Sequence, residues 1–430
     1  MTDALTALDG RYRSKIEDLV PIFSEGALIR YRYRIEVEYL KFLGNVIGFD
    51  LPDKIDHEVD CERVKAIERT TNHDVKAVEY YLREQLQRNG AEDGVLEYVH
   101  FGLTSQDINS VTYALQLKDF MNGAFERGMK RITQKLITMA EKYRNIPMLS
   151  RTHGQSASPT TIGEELVVFV ERLYHQFSTR VKDYRTKFGG AVGNLNAHYA
   201  AFPNINWHIE LDKFIDTRFG LLRNQHTKQI DHYDHYAITF DVVRRICTIL
   251  IDLCQDLWLY ISHDYFKLKV KEGEVGSSTM PHKVNPIHFE NAEGNLQLAC
   301  ALLNFLSTKL PVSRMQRDLT DSTVLRNLGT AFGHVMLGIR SLLVGLDRID
   351  INKTALRKDL DNNWQVVTEA IQTVLRREGV PGAYDIIKNA SRGEQLDKEG
   401  IAKLIEQLPV SKSVKDELHA IAPQNYIGKV

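Results

Sequence analysis

Apolar residues recur at alternating spacings of three and four along five stretches of the chain. The first runs Phe125, Met129, Ile132, Leu136, Met139, Tyr143. The second is Val167, Val170, Tyr174, Phe177, Val181, Tyr184, Phe188, and the third Val243, Ile246, Leu250, Leu253, Leu257, Tyr260. The same rhythm returns in Ala292, Leu296, Ala299, Leu303, Leu306, Leu310 and in Phe332, Val335, Ile339, Leu342, Leu346, Ile349. This spacing keeps one stripe of a helix turned toward a partner, so it predicts a bundle of long helices crossing at shallow angles. Residues 237–261 also carry Ile238, Phe240, Val242, Ile249, Ile251 and Trp258 off the stripe. That helix needs cover on more than one side. Association of several bundles supplies such cover more readily than flanking domains of a monomer.

The texture differs at both ends. Shorter amphipathic segments at 26–44, 60–69 and 73–88 are separated by Pro21, Pro52 and the turn near Gly90 and Gly94. From about residue 356 the segments are short again, broken by Gly379, Pro381, Gly382, Gly393 and Pro409. The expected architecture is all-α: a small N-terminal helical domain (1–104), a central long-helix bundle carrying a catalytic loop (105–355), and a small C-terminal helical domain (356–430). Strand-like alternation is scarce, and neither a βαβ rhythm nor a dinucleotide-type glycine fingerprint occurs. The Gly-rich FGGAVGNLN leaves room for one short hairpin around 188–195.

Composition narrows the class. Fifty-five Lys and Arg balance fifty-six Asp and Glu in 430 residues, which gives no net field toward nucleic acid or membrane. Cys61, Cys247, Cys254 and Cys300 form no CxxC pair, and the last three lie in apolar periodic stretches, as expected of core thiols in a reducing compartment. The start, MTDALTALDG, lacks the basic-then-apolar pattern of a secretory signal. The stretch taken as most apolar, 237–261, carries Asp241, Arg244, Arg245, Asp252 and Asp256, which argues against a membrane span. A cytoplasmic protein is expected.

Chemistry should sit where the periodicity breaks. In ERTTNHDVKA, His73 stands at a helix start with Thr71 and Asn72 available as caps, so ordinary capping competes with a site role. In HFGLTSQDINS, Thr104 and Ser105 precede a helix with Asp107 in its first turn; the exposed N–H groups there suit an anion, though a plain N-cap reads as well. SRTHGQSASPTTIG (150–163) is a connection dense in hydroxyls around Arg151, His153 and Gln155, and His153 can carry a proton near neutrality. KEGEVGSSTMPHKVNPIHFEN (271–291) has no helical pattern until Pro286; Ser277, Ser278, Lys283 and Asn285 could converge there on an acid group. In RMQRDLTDSTVLR (314–326), Arg317, Ser322 and Arg326 surround a helix start near 321–323, the makings of a phosphate pocket. His226, His232 and His235 have neither zinc-motif spacing nor a paired acid pattern, so no metal is expected.

GSSTMPHKVNP (276–286) closely resembles the signature loop of the fumarase/aspartase superfamily. Within that superfamily the chain resembles the adenylosuccinate lyase family, in its bacterial branch. The segments that carry the likeness are DGRY (9–12), RTTNHDVKAVEY (69–80), TSQDIN (104–109), SRTHGQSASPTTIG and KLPVSRMQRDLTDSTVLRNLG (309–329), so it runs over essentially the whole chain. The resemblance implies a three-domain all-α fold, a homotetramer with each active site shared by three subunits, and loss of fumarate from a succinylated purine nucleotide, with no cofactor. It implies Ser277 as general base, His153 as general acid and Glu290 as the carboxylate that orients His153. It further implies His73 near the phosphate and succinyl group, and Lys283 and Asn285 of the loop on a carboxylate. Thr104, Ser105 and Gln229 would be substrate ligands, and Arg11, Tyr12, Arg317, Ser322 and Arg326 nucleotide or phosphate contacts. The branch reads QIEPHD where this chain has QIDHYD (229–234), which keeps Gln229 and changes the turn after it. The chain ends at NYIGKV, where members of the branch often run further; that difference bears on subunit edges rather than chemistry. Argininosuccinate or 3-carboxymuconate chemistry and a catalytically inert relative are the alternatives that substrate assays separate.

Overall fold

The structure is a computed structural model that describes residues 3–52, 55–270, 273, 279–280, 282–391 and 396–429. Helix dominates, and strands among the described residues occur only as three two-stranded sheets. The chain divides into two compact units. One comprises Met1–Met129, Gln176–Thr248 and Gly294–Arg340; the other comprises Lys130–His175, Ile249–Glu293 and Ser341–Val430. The helices Asp234–Ser262, Ile287–Lys309 and Leu328–Asp347 give residues to both.

In the first unit, helices Glu25–Leu43, Cys61–Thr71 and Asp74–Arg88 close a core of Ile29, Tyr33, Val37, Leu40, Val64, Val78 and Leu82. Each begins at a side chain that satisfies an orphan amide: Ser24 accepts from Ala27 N, Asp60 from Arg63 N and His73 from Lys76 N. The cap expected from Thr71 or Asn72 is thus His73 itself. Asn72 instead ends the preceding helix in the left-handed conformation (φ 51°). Helix Ser105–Phe120 runs through a π turn, Met121–Phe125, into Glu126–Lys142.

Four of the five apolar stripes are buried as their spacing requires. Those beginning at Phe125, Ala292 and Phe332 are buried throughout, and that beginning at Val243 is buried through Leu257. The stripe from Val167 is not. The helix spans Ile162–Ser178 rather than 167–188, and it buries Ile162, Leu166, Phe169 and Leu173. Val167 and Tyr174 are 42% and 72% exposed. This helix carries two apolar stripes about one position apart, and the chain's own core takes only one of them.

In the second unit, helices Lys353–Asp361, Thr368–Arg377, Ala383–Ser391, Lys398–Gln407 and Lys412–His419 enclose Leu360, Val367, Ile371, Leu375, Ile387, Ile401 and Ile405, together with Leu149. Leu149 belongs to a hairpin, Pro147–Thr152 paired antiparallel with Gln155–Thr161, which the sequence reading treated as a polar connection. The glycine-rich stretch 188–195, which left room for a hairpin, forms none; nearby, Arg185–Thr186 pair in parallel with Leu222–Arg223. The glycines there serve close approach instead. A Cβ on Gly193 would lie 2.1 Å from the Thr227 carbonyl oxygen, at φ +85°.

One helical stretch, Thr320–Asp347, is long and apolar enough to cross a membrane, and 72% of its most apolar window is buried inside the protein, as in a core helix. It is not the stretch 237–261 singled out from sequence. Beyond Leu328 its helix carries no charge before Arg340, whereas 237–261 bears several.

His198 is fully buried, its Nε2 2.8 Å from the Tyr39 hydroxyl, which itself donates to the Phe101 carbonyl. Nε2 therefore carries the hydrogen, and burial lowers the ring's pKa from 6.5 to about 4. The unfolded chain binds this proton below pH 6.5 while the folded chain refuses it until about pH 4. Stability should fall across that window by up to ~3 kcal/mol from this group. Urea midpoints measured from pH 7 to 4.5 should show a steeper loss in the wild type than in His198→Gln; equal slopes would contradict the assignment.

Candidate active site

The first unit contains a pocket of about 260 Å³ lined by Arg32, His73, Asp74, Ser105, Arg317, Ser322 and Arg326, among others. This lies below the range of roughly 300–1,000 Å³ usual for drug-sized ligands.

Its electrostatics favour an anion. Three guanidinium groups and an imidazole face Asp74 and Glu68, and Glu68 is paired with Lys65 at 2.8 Å. Burial would raise the Asp74 carboxyl, but Arg32 at 2.9 Å and Arg326 at 2.6 Å outweigh it and hold the pKa at about 2. Arg32 is itself buried, anchored by Nε to Asn109 Oδ1 at 2.9 Å. Its Nη2 lies near Asp74 without hydrogen-bond alignment, which leaves donors for a ligand.

The smaller groups are equally directed. Ser322 Oγ accepts from Arg317 Nη2 and from Gln106 Nε2, each at 3.2 Å, so its own hydrogen remains to be donated. His73 Nδ1 accepts the Lys76 amide at 3.1 Å; the proton of the neutral ring therefore sits on Nε2, 3.3 Å from Ser105 Oγ. The capping role and the pocket role belong to one side chain, one on each ring nitrogen.

The helix start beneath Ser105 is fixed by Asp107. Its Oδ2 accepts the Thr104 amide at 2.8 Å, and its Oδ1 accepts Lys187 Nζ at 2.6 Å, Gly189 N at 2.7 Å and Gly190 N at 3.2 Å. Both side chains of the Asp107–Lys187 pair are fully buried. Burial pulls the Lys187 pKa down while Asp107 opposes it, and the ammonium also donates to the Gly190 carbonyl at 2.6 Å.

The second unit holds the remaining chemistry. His153 and Gly154 form the two-residue loop of the hairpin, both in the left-handed region (φ 53° and 75°), as a type I′ turn requires. Histidine tolerates that region better than most residues. The side chain is exposed at the tip. The strands beneath are pinned by Arg151 to Tyr265 and Asp359 and by Ser156 Oγ to Asn363 Oδ1 at 2.7 Å. Glu290 lies in the first turn of helix Ile287–Lys309 and accepts from Trp258 Nε1 at 3.1 Å, not from His153. Lys283 is exposed and Asn285 half-buried just before that helix. Ser277 and Ser278 lie outside the described residues.

The pocket thus brings together His73, Ser105, Arg317, Ser322 and Arg326. Thr104, half-buried, caps the same helix, whereas Arg11, Tyr12 and Gln229 do not line the pocket. Sequence reasoning missed Arg32, Asn72, Asp74, Asn109 and Tyr113 as lining residues. Arg32 had a readable signal: it shares the stripe of Ile29, Tyr33 and Glu36, and a cation at a core position needs a partner. His153 had one too, a His-Gly pair between two short β-compatible runs.

The family described as Lyase matches residues 50–300, and that described as Adenylosuccinate lyase C-terminal matches 313–427. Among solved structures, a fumarate lyase from a Mesorhizobium species superposes with a TM-score of 0.77 at 17% identity, over 96% of this chain and 95% of its own. A beta-carboxy-cis,cis-muconate cycloisomerase from Acinetobacter calcoaceticus gives 0.76 at 18%, over 97% of each. These establish the fold: the chain has the all-α architecture of the fumarase/aspartase superfamily of lyases. The adenylosuccinate lyase of Dictyostelium discoideum is 46% identical over 99% of this chain and 96% of its own, and that of Escherichia coli K12 is 44% identical at the same coverage. The chain belongs to the adenylosuccinate lyase family.

Removing Asp107 strands a buried ammonium and frees the Thr104 amide and the 187–190 turn. Asp107→Ala should destabilise the protein by about 3–5 kcal/mol, read as a drop in the urea midpoint. A loss under about 1 kcal/mol, the range of an exposed pair, would show that the pair bears no weight.

Proposed function

We propose that the chain removes fumarate from adenylosuccinate to give AMP, and from succinylaminoimidazole carboxamide ribotide to give aminoimidazole carboxamide ribotide, in purine biosynthesis. The observation that carries this reading is the anion pocket, in which Arg317, Ser322 and Arg326 point donors at one small volume beside His73 and Ser105. A ribose 5′-phosphate is common to both substrates and fits such a set of donors. Superfamily substrates without phosphate give Arg317 and Arg326 no purpose.

The reaction is a β-elimination. Ser277, as its alkoxide, takes a proton from the carbon beside a succinyl carboxylate and becomes the neutral hydroxyl. The electron pair moves onto that carboxylate as an aci-carboxylate, then forms the fumarate double bond as the C–N bond breaks. His153 gives its proton to the leaving nitrogen, with Glu290 holding it charged and oriented. Lys283 and Asn285, with Thr104 or Ser105, stabilise the developing dianion; fixed donors of this kind are the largest contribution to be expected. Gln229 contacts the substrate, and Arg11 and Tyr12 complete the nucleotide site. Cofactor and metal have no part in these steps.

The working particle is a homotetramer in the cytoplasm, with each site built from three chains. Two features support this. His153 is exposed and Glu290 is engaged with Trp258 in its own chain, so their pairing calls for another copy. Tyr174, Ile238, Leu298 and Phe305 are large apolar side chains left exposed on the long helices, available for burial between subunits.

Arg326→Ala should lower kcat/KM for adenylosuccinate roughly ten- to hundredfold, the worth of a charged hydrogen bond. The same substitution should change little for the substrate analogue lacking phosphate; equal losses for both would remove the phosphate assignment. Ser277→Ala and His153→Gln should each abolish fumarate release, measured by absorbance. Mixing the two inactive proteins under subunit exchange should restore activity if sites are shared, and persistent inactivity of the mixture would argue for sites within one chain.

A further inference from the structure

The stretch 229–234, where this chain departs from the family pattern, folds into an arrangement unforeseen from sequence. Asp231, His232 and His235 bring one carboxylate oxygen and two ring nitrogens within 4.8 Å of one another. The cause is a turn at Tyr233, which holds φ +57°, rare for a bulky residue. Tyr233 is locked there by full burial and by its hydroxyl, which donates to Asp321 Oδ2 at 3.1 Å. The turn folds Asp231 back against the start of helix Asp234–Ser262. The acid that linear spacing did not pair with the histidines thereby stands beside both.

His235 supplies an independent sign of a ligand. It is only 8% exposed, and its Nε2 lies 2.8 Å from the Arg185 carbonyl oxygen. A carbonyl only accepts, so Nε2 carries the hydrogen and Nδ1 presents a bare lone pair. That Nδ1 is buried without a hydrogen-bond partner. A buried unsatisfied acceptor calls for an explanation. An imidazole whose far N–H is fixed on a main-chain carbonyl has the orientation typical of metal-bound histidine. Asp231 is likewise held in place: Oδ1 accepts Asn224 Nδ2 at 3.1 Å and the Tyr233 amide at 3.3 Å, and Oδ2 accepts Ser110 Oγ at 3.3 Å, which leaves one lone pair of Oδ2 unused. His232 is half-exposed, its Nδ1 3.0 Å from Asp234 Oδ2 and 3.9 Å from Asp231 Oδ1.

We propose that Asp231, His232 and His235 form a binding site for one divalent transition-metal ion of the zinc class, with solvent as the fourth ligand. Two imidazoles and one carboxylate suit zinc; calcium and magnesium demand larger, all-oxygen shells. Tetrahedral bonds of about 2.1 Å place the donor atoms roughly 3.4 Å apart. The present spread of up to 4.8 Å has to close by more than about 1 Å to reach that spacing, a movement that the half-exposed His232 side chain would supply by rotating. The ion is distinct from the elimination chemistry. It clamps the turn after Gln229, and through Tyr233 and Asp321 it touches the hydrogen-bond network of Gln106 and Ser322.

The test is titration of the chelator-treated, full-length protein with Co2+. Visible d–d absorption should grow to saturation at one ion per chain and be displaced by Zn2+. His232→Ala, at a half-exposed position, should weaken Co2+ binding at least tenfold, while His226→Ala should leave it unchanged. Zn2+ should raise the melting temperature of the wild type and not of His232→Ala, since an ion bound only by the native state stabilises it. Absence of saturable absorption, or equal binding by wild type and His232→Ala, overturns the proposal, as does an equal loss in His226→Ala. None of these readouts depends on fumarate release, so they stand or fall apart from the proposed reaction.

Discussion

A single buried carboxylate organises the first unit. Asp107 receives an ammonium, two glycine amides and the amide of the helix cap, and every one of these donors comes from a segment without regular structure or from a helix end. Such groups are the ones most costly to bury unpaired. Collecting them on one anion lets the Ser105 helix start inside the protein, beside the 187–190 turn, without stranded backbone. The low polarity that makes the ion pair expensive to form also makes it expensive to break, so the geometry of the Thr104–Ser105 corner is fixed.

From that corner the anion pocket follows. Ser105 meets His73, whose other nitrogen caps the next helix, and Asp74 in that helix's first turn holds Arg32 and Arg326. Arg32, His73 and Asp74 each line the pocket while also making a structural contact. The chain's near-zero net charge gives no hint of this local cluster, in which three arginines and an imidazole share one pocket with Asp74 and Glu68. The second unit shows the opposite economy. Its hairpin is braced by Arg151, Ser156 and Ser158 so that His153 can stand exposed on a two-residue loop.

The stripes explain which parts of the fold were legible. A helix with one apolar stripe has one way to be buried, and Phe125–Tyr143, Ala292–Leu310 and Phe332–Ile349 were read directly. The helix Ile162–Ser178 has two adjoining stripes, and periodicity alone gives no rule for which of them the chain buries. The hairpin at 147–161 was missed because its hydroxyl-rich strands show no alternation; its register is set by the His-Gly turn and by partners far away in sequence. The glycines at 189, 190 and 193 suggested a turn, yet they answer to a neighbouring backbone that no local pattern reveals.

By itself the sequence determined the class of fold, the positions of four of the five long helices, the polar islands and the family, because these rest on local periodicity and contiguous motifs. Only the tertiary structure decided that Asp107 would take Lys187, that Arg32 would enter the pocket from a core stripe, and that Asp231 would face His232 and His235. Those outcomes depend on burial and on donors and acceptors brought together by turns, where a group's partner is fixed by three-dimensional proximity and the cost of leaving it unpaired, not by its distance along the chain.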